Sequence, residues 1–248
     1  MTRALTRSLF AEGIGTFALV FAGAGAIVVD ARTHALGHVG VAISFGLVIM
    51  VMIYALGHIS GAHFNPAVSF AFALSRHFPW GKVFAYWFAQ LAGALLAAAL
   101  VRGSLGSDAH VGATLPSGSQ GQSFVWEVVL SFFLMFVIMA VATDTRSVGE
   151  AAAIAIGGTV GLDAMFGGPV SGASMNPARS LGPALVSGDL HAAWLYIVAP
   201  IVGASLAALG YQFLRDEPVR PGDLSLRELH VDGHARSEPQ AASSETSH

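Results

Sequence analysis

Long apolar runs, broken by short polar stretches, occupy most of the chain, and their lengths set the first expectations. Crossing a hydrocarbon layer takes about 20 residues at roughly 1.5 Å rise each. Six runs are of that order: 8–29, 39–57, 81–101, 123–143, 151–166 and 192–214. The fifth is the shortest, and its ends are the least sharply marked. Two further apolar runs, 65–74 and 176–186, reach only about half way across at helical rise. Each starts with Asn-Pro, in which Asn caps free amides and proline suits the first helical position. The pattern predicts half-helices there rather than loops.

The same phrase opens both short runs. Ser60-Gly61-Ala62-His63-Phe64-Asn65-Pro66-Ala67 returns as Ser171-Gly172-Ala173-Ser174-Met175-Asn176-Pro177-Ala178, at a constant offset of 111 residues (171 − 60). Glu12 in the first run matches Glu127 in the fourth, and Gln90-Leu91-Ala92-Gly93 aligns with Pro200-Ile201-Val202-Gly203. Each half, about 8–102 and 123–214, holds three spans and one half-helix. An odd number of spans turns the second half over, so the half-helices enter from opposite faces and meet near the midplane. The expected fold is an all-α membrane protein with six transmembrane helices, two re-entrant half-helices and an inverted repeat.

Composition agrees. Of 248 residues, 54% are hydrophobic and only 11% charged, against roughly 25% charged in soluble domains. Mean hydropathy is +0.65. Arg3 and Arg7 before an apolar stretch resemble a signal peptide, but the run that follows exceeds a signal core of roughly 7–15 residues and carries Glu12, so it reads as the first span. Arg3, Arg7, Arg76, Lys82, Arg146 and Arg215 fall on one side of this topology, and Arg32 and Arg102 on the other. The bias places both termini in the cytoplasm, as expected of a protein of the inner (plasma) membrane. A membrane domain is expected over 1–214 and a disordered cytoplasmic tail over 215–248, which is polar and poor in large apolar residues.

Several chemistries are excluded. A net charge of −3 without a basic patch argues against nucleic acid, and the absence of cysteine removes disulfide and thiolate chemistry. There is no metalloprotease helix, nucleophile elbow or phosphate loop, so neither enzyme, cofactor nor metal is expected.

What remains is a passage. A helix N-terminus carries about +0.5 charge, and two facing each other make a positive centre. Asn65 and Asn176 would each offer an amide donor to a solute oxygen, orienting a water so that protons are not relayed. The carbonyls of Gly61, Ala62 and His63, and of Gly172, Ala173 and Ser174, would supply acceptors, since non-helical backbone at this depth is tolerated only beside a wet cavity. The His63 ring either packs within its loop or faces the passage. Glycines 13, 15, 23, 25, 93 and 203 read as close helix crossings. A gradient-coupled secondary transporter of a small polar solute is the competing reading, although it needs a titratable group at the centre, where only neutral Asn stands.

Two Asn-Pro-Ala half-helices in six inverted spans, the second continuing into Arg179, resemble the major intrinsic protein family of aquaporins and aquaglyceroporins, of the bacterial or nodulin-like type. The resemblance implies an hourglass fold assembled as a homotetramer in the lipid bilayer, with water and small neutral solutes as cargo. It also implies a constriction on the extracellular side of the Asn pair, built here by Phe45, Ala164, Ala173 and Arg179. Phe45 could instead serve helix packing, and Arg179 could satisfy loop carbonyls as well as touch solute. Strict water channels usually hold histidine where Ala164 stands. A methyl there leaves room for glycerol, urea-like molecules or undissociated metalloid acids. Ser180 and Ala184 depart from the Asp and Lys usual in glycerol facilitators; Tyr196 looks water-channel-like, whereas Ile197 replaces a tryptophan common in strict water channels. Glu12 and Glu127 would brace the half-helices, with proton coupling as the alternative, and Asp163 is expected near the extracellular end against a loop or a neighbouring protomer.

Overall fold

The computed structural model describes residues 2–143 and 151–215. Arg146 and all but the first residue of the expected tail lie outside the described residues. The chain divides into two compact units, Met1–Gln212 and Phe213–His248, and the site lies within the first.

Described secondary structure is helical throughout: α1 (Arg3–Thr33), α2 (Gly37–Ser60), α3 (Pro66–Leu74), α4 (Trp80–Leu105), α5 (Gln120–Thr143), α6 (Ala152–Ser171), α7 (Pro177–Ser187) and α8 (Leu195–Leu214). Six of these are long and apolar enough to cross a membrane. The other two, α3 and α7, are the half-helices, with 9 and 11 residues.

The helices outrun the apolar windows where local chemistry lets them. Thr2 caps α1 by accepting from the Leu5 amide, so the helix begins well before the first apolar run. Helix α6 continues past Phe166 through Gly167-Gly168-Pro169, a sequence that reads as a breaker, and stops at Gly172, whose left-handed φ of 86° closes the turn onto the Gly168 carbonyl. Only positions close to its end meet the proline, so few backbone bonds are lost.

Helix α1 packs on α4 and α2, α2 on α6, α5 on α6, and α4 on both half-helices. Close approach is set by glycine at matched places. A Cβ on Gly93 would lie 2.2 Å from the Gly13 carbonyl oxygen, and one on Gly203 would lie 2.1 Å from that of Val128. These are the same crossing, made once in each half. Two other α1 glycines differ from the expectation. Gly15 and Gly23 admit aromatic rings rather than helix backbone: Phe64 of the first loop and Phe45 of α2.

The link between α4 and α5 turns left-handed. Ala109, His110, Val111 and Gly112 have φ of 45°, 48°, 59° and 73°, a conformation costing a non-glycine residue about 1–2 kcal/mol. Val111 and Gly112 are buried against the body, and Gly112 sits so near Ala24 that a Cβ would approach its carbonyl oxygen to 2.6 Å.

Candidate functional site

Each half-helix begins as its sequence dictates. Asn65 and Asn176 are extended N-caps, with φ of −154° and −151°, followed by proline. Asn65 Oδ1 accepts from the Ala67 amide at 2.9 Å, and Asn176 Oδ1 from the amides of Ala178 and Arg179 at 3.0 and 3.3 Å. Pro66, Ala67, Pro177 and Ala178 are buried in these first turns. The caps also reach across. Asn65 Nδ2 donates to the Met175 carbonyl and Asn176 Nδ2 to the Phe64 carbonyl, both at 2.8 Å. The two helix starts are thus tied tip to tip.

Both preceding loops are held by a carboxylate from behind. Glu12 Oε1 accepts from Ser60 Oγ (2.7 Å) and the His63 amide (2.9 Å), and Oε2 from the Phe64 amide (2.7 Å) and Gln90 Nε2 (2.8 Å). Glu127 repeats the pattern with Ser171 Oγ and the Ser174 and Met175 amides, all at 2.8 Å. Ala62, Phe64, Ala173 and Met175 all have left-handed φ, between 42° and 53°. Hydrogen bonds to a charged acceptor, worth about 1.5–3 kcal/mol each, offset that strain.

The rest of the bracing could be found in sequence only through the repeat register. Tyr86 Oη donates to the Ser60 carbonyl at 2.9 Å, and Tyr196 Oη, 110 residues on, to the Ser171 carbonyl at 2.6 Å. His63 Nδ1 lies 3.0 Å from Ser69 Oγ, while in the second loop Ser174 hydrogen-bonds Ser180, the residue equivalent to Ser69. Ser180 also bonds Thr114 Oγ1. No sequence signal marks Thr114 or Gly112, because their contacts are non-local. The His63 ring packs among Phe72, Phe78 and Tyr86, with centroids 4.7–5.2 Å away, so its side chain is fixed within the protein.

A cavity of about 130 Å³ runs between the halves. It brings together Phe45, Ala164, Ala173 and Arg179 with Asn65, Asn176, Gly61, Ala62, His63 and Ser174. Gly172 is not on its wall, being turned toward Thr114 as the cap of α6. The remaining lining is apolar and includes Leu19, Ile49, Val68, Ile138, Ile156 and Val160. The polar groups are therefore set in an otherwise apolar wall.

Arg179 is the charged member of that wall. It is 2% exposed, Nη1 donates to the Gly112 carbonyl at 2.9 Å, and the guanidinium carbon stands 4.9 Å from the centroid of the Phe45 ring. Its Nε has no partner among the described residues. The left-handed turn of residues 109–112 thus has a use: it delivers a carbonyl to the arginine.

Asp163 is buried off the cavity wall. It is 1% exposed, enclosed by its own chain, and its Oδ2 has no hydrogen-bond partner among the described residues. Ala164 lines the cavity and Asp163 does not, because adjacent helical residues point about 100° apart. Burial within a single chain leaves Asp163 no surface to offer a second protomer.

Comparison with known proteins agrees with this geometry. The family model described as major intrinsic protein matches residues 1–211. The chain is 51% identical to aquaporin NIP1-1 of Zea mays over 86% of its length and 77% of the relative's, and 49% identical to nodulin-26 of Glycine max over 86% and 80%. The X-ray structure of the aquaglyceroporin from Plasmodium falciparum superposes with a TM-score of 0.76 at 26% identity, covering 89% of this chain and 99% of that one. The inverted half-helices, the paired Asn caps and a match along nearly the whole described chain place this protein in the major intrinsic protein family.

Proposed function

We propose that the cavity is a passive pore for water and small uncharged solutes, glycerol, urea-like molecules and undissociated metalloid acids among them, and that it excludes protons and ions. The protein is a channel, neither an enzyme nor a gradient-coupled transporter. The observation that carries the reading is the tip-to-tip seating of two half-helices on one cavity: Asn65 and Asn176 both line it. One hydrogen of each amide is committed to the opposite loop. The second is left for a solute oxygen. With the His63, Phe64, Ser174 and Met175 amides turned back to the glutamates, the loop carbonyls are the acceptor side of the passage. A neutral solute exchanges hydration for this donor and acceptor ladder. A cation meets two positive helix ends and a buried arginine.

Phe45, Ala164, Ala173 and Arg179 form the selective constriction in this reading. What supports it is their place on one cavity, with Arg179 facing Phe45 and two methyl groups completing the ring. Residues up to 214 make the channel domain, 215–248 is a cytoplasmic tail, both termini face the cytoplasm of a plasma membrane, and four copies assemble.

Purified protein in liposomes tests this. Shrinkage under osmotic shock should be fast, and glycerol or urea entry should be non-saturating and indifferent to pH and sodium gradients. Flux that saturates and follows either gradient would overturn the reading.

A further inference from the structure

Gly23 lies on α1, and nothing in its own chemistry touches a solute. A Cβ built there would stand 2.1 Å from Cε1, 2.4 Å from Cδ1 and 2.5 Å from Cζ of Phe45. The ring edge therefore rests directly on the α1 backbone, in the space that any other residue would fill. On its other side the ring borders the cavity and the Arg179 guanidinium, 4.9 Å from its centroid. The ring is confined between a helix backbone and an open passage, and only the passage can yield.

The repeat gives an internal control. Gly23 corresponds to Ile138 by the α1-to-α5 offset of 115, and Phe45 to Ile156 by the α2-to-α6 offset of 111. In the second half, then, two branched side chains both line the cavity, whereas in the first the ring lines it and the glycine does not. A large ring at position 45 is compatible with an open passage because its partner position carries no side chain at all.

We infer that Gly23 is a specificity-determining positioning residue: by letting the Phe45 ring recess against α1, it sets the aperture between that ring and Arg179, and so the largest solute that passes. The inference rests on the proposed role of Phe45 as a wall of the constriction. A methyl at position 23 pushes the ring toward Arg179, which narrows the passage for a polyol more than for water.

The test compares wild type, Gly23→Ala, Phe45→Val and the double variant in liposomes, with water and glycerol flux measured on the same preparations. Gly23→Ala should lower the glycerol-to-water ratio by about tenfold, the scale at which a single methylene discriminates in a tight site. Adding Phe45→Val should restore the ratio to within about twofold of the Phe45→Val variant. Equal loss of both fluxes, or an unchanged ratio, overturns the inference. If Gly23→Ala fails to assemble, thermal unfolding decides: recovery of a folded tetramer or monomer in the double variant supports the ring contact, and its absence overturns it. Wild-type protein without osmotic water flux would refute the channel reading itself, which separates the two failures.

Discussion

Gly46 on α2 and Gly157 on α6 face each other across the join between the halves. A Cβ on Gly46 would come within 2.7 Å of the Gly157 carbonyl oxygen, and one on Gly157 within 2.6 Å of the Gly46 carbonyl oxygen. The two residues are separated by the repeat offset of 111. A residue that touches its own repeat mate lies beside the pseudo-two-fold axis, so the inverted halves meet backbone to backbone here. Membrane helices gain little from apolar burial alone, and backbone approach of this kind holds them together.

Gly157→Ala should therefore lower stability by about 1–3 kcal/mol, the usual cost of forcing a methyl into a filled contact. Thermal unfolding in detergent measures it. A melting temperature equal to that of wild type would show that the join can relax.

The glutamate braces give a symmetric prediction. In Glu127→Gln, one side of the carboxamide presents N–H groups where backbone amides already donate, at Ser174 or at Met175. The loss should be about 2–3 kcal/mol, with collapse of water flux as the loop leaves its strained form. Glu12→Gln should behave alike, since His63 and Phe64 donate to Glu12 in the same way. If either variant kept full flux but made it dependent on a pH gradient, the bracing role would give way to proton coupling.

Arg179 supplies a fixed charge at the constriction. Arg179→Val removes it together with the bond to the Gly112 carbonyl. Proton or small-cation leak, followed with a pH-sensitive dye inside liposomes, should rise severalfold while water flux persists. Unchanged leak would assign ion exclusion to the half-helix ends alone.

Ala164 faces the same cavity as Phe45 and Arg179. Ala164→His places an imidazole where a methyl now leaves space, and glycerol flux should fall by about tenfold with water largely spared. Parallel loss of both would remove Ala164 from the constriction.

Much of the fold was open to reading because the bilayer imposes lengths. Runs near 20 residues had to be spans, and two Asn-Pro starts at one offset had to be paired half-helices, since a cap and a proline act locally. Glu12 and Glu127 could be matched for the same reason: the repeat made their positions equivalent before any contact was known. The cavity wall followed as far as register alone could carry it.

Tertiary structure decided what depends on partners distant in the chain. The sequence could not say that Asn65 would spend one amide hydrogen on Met175, that Gly112 would offer its carbonyl to Arg179, or that Thr114 would join Ser180. Nor could it separate Gly93, which admits a helix, from Gly23, which admits a ring. Period, capping and hydropathy are properties of neighbouring residues. Which surface a missing side chain leaves room for is a property of whatever packs against it.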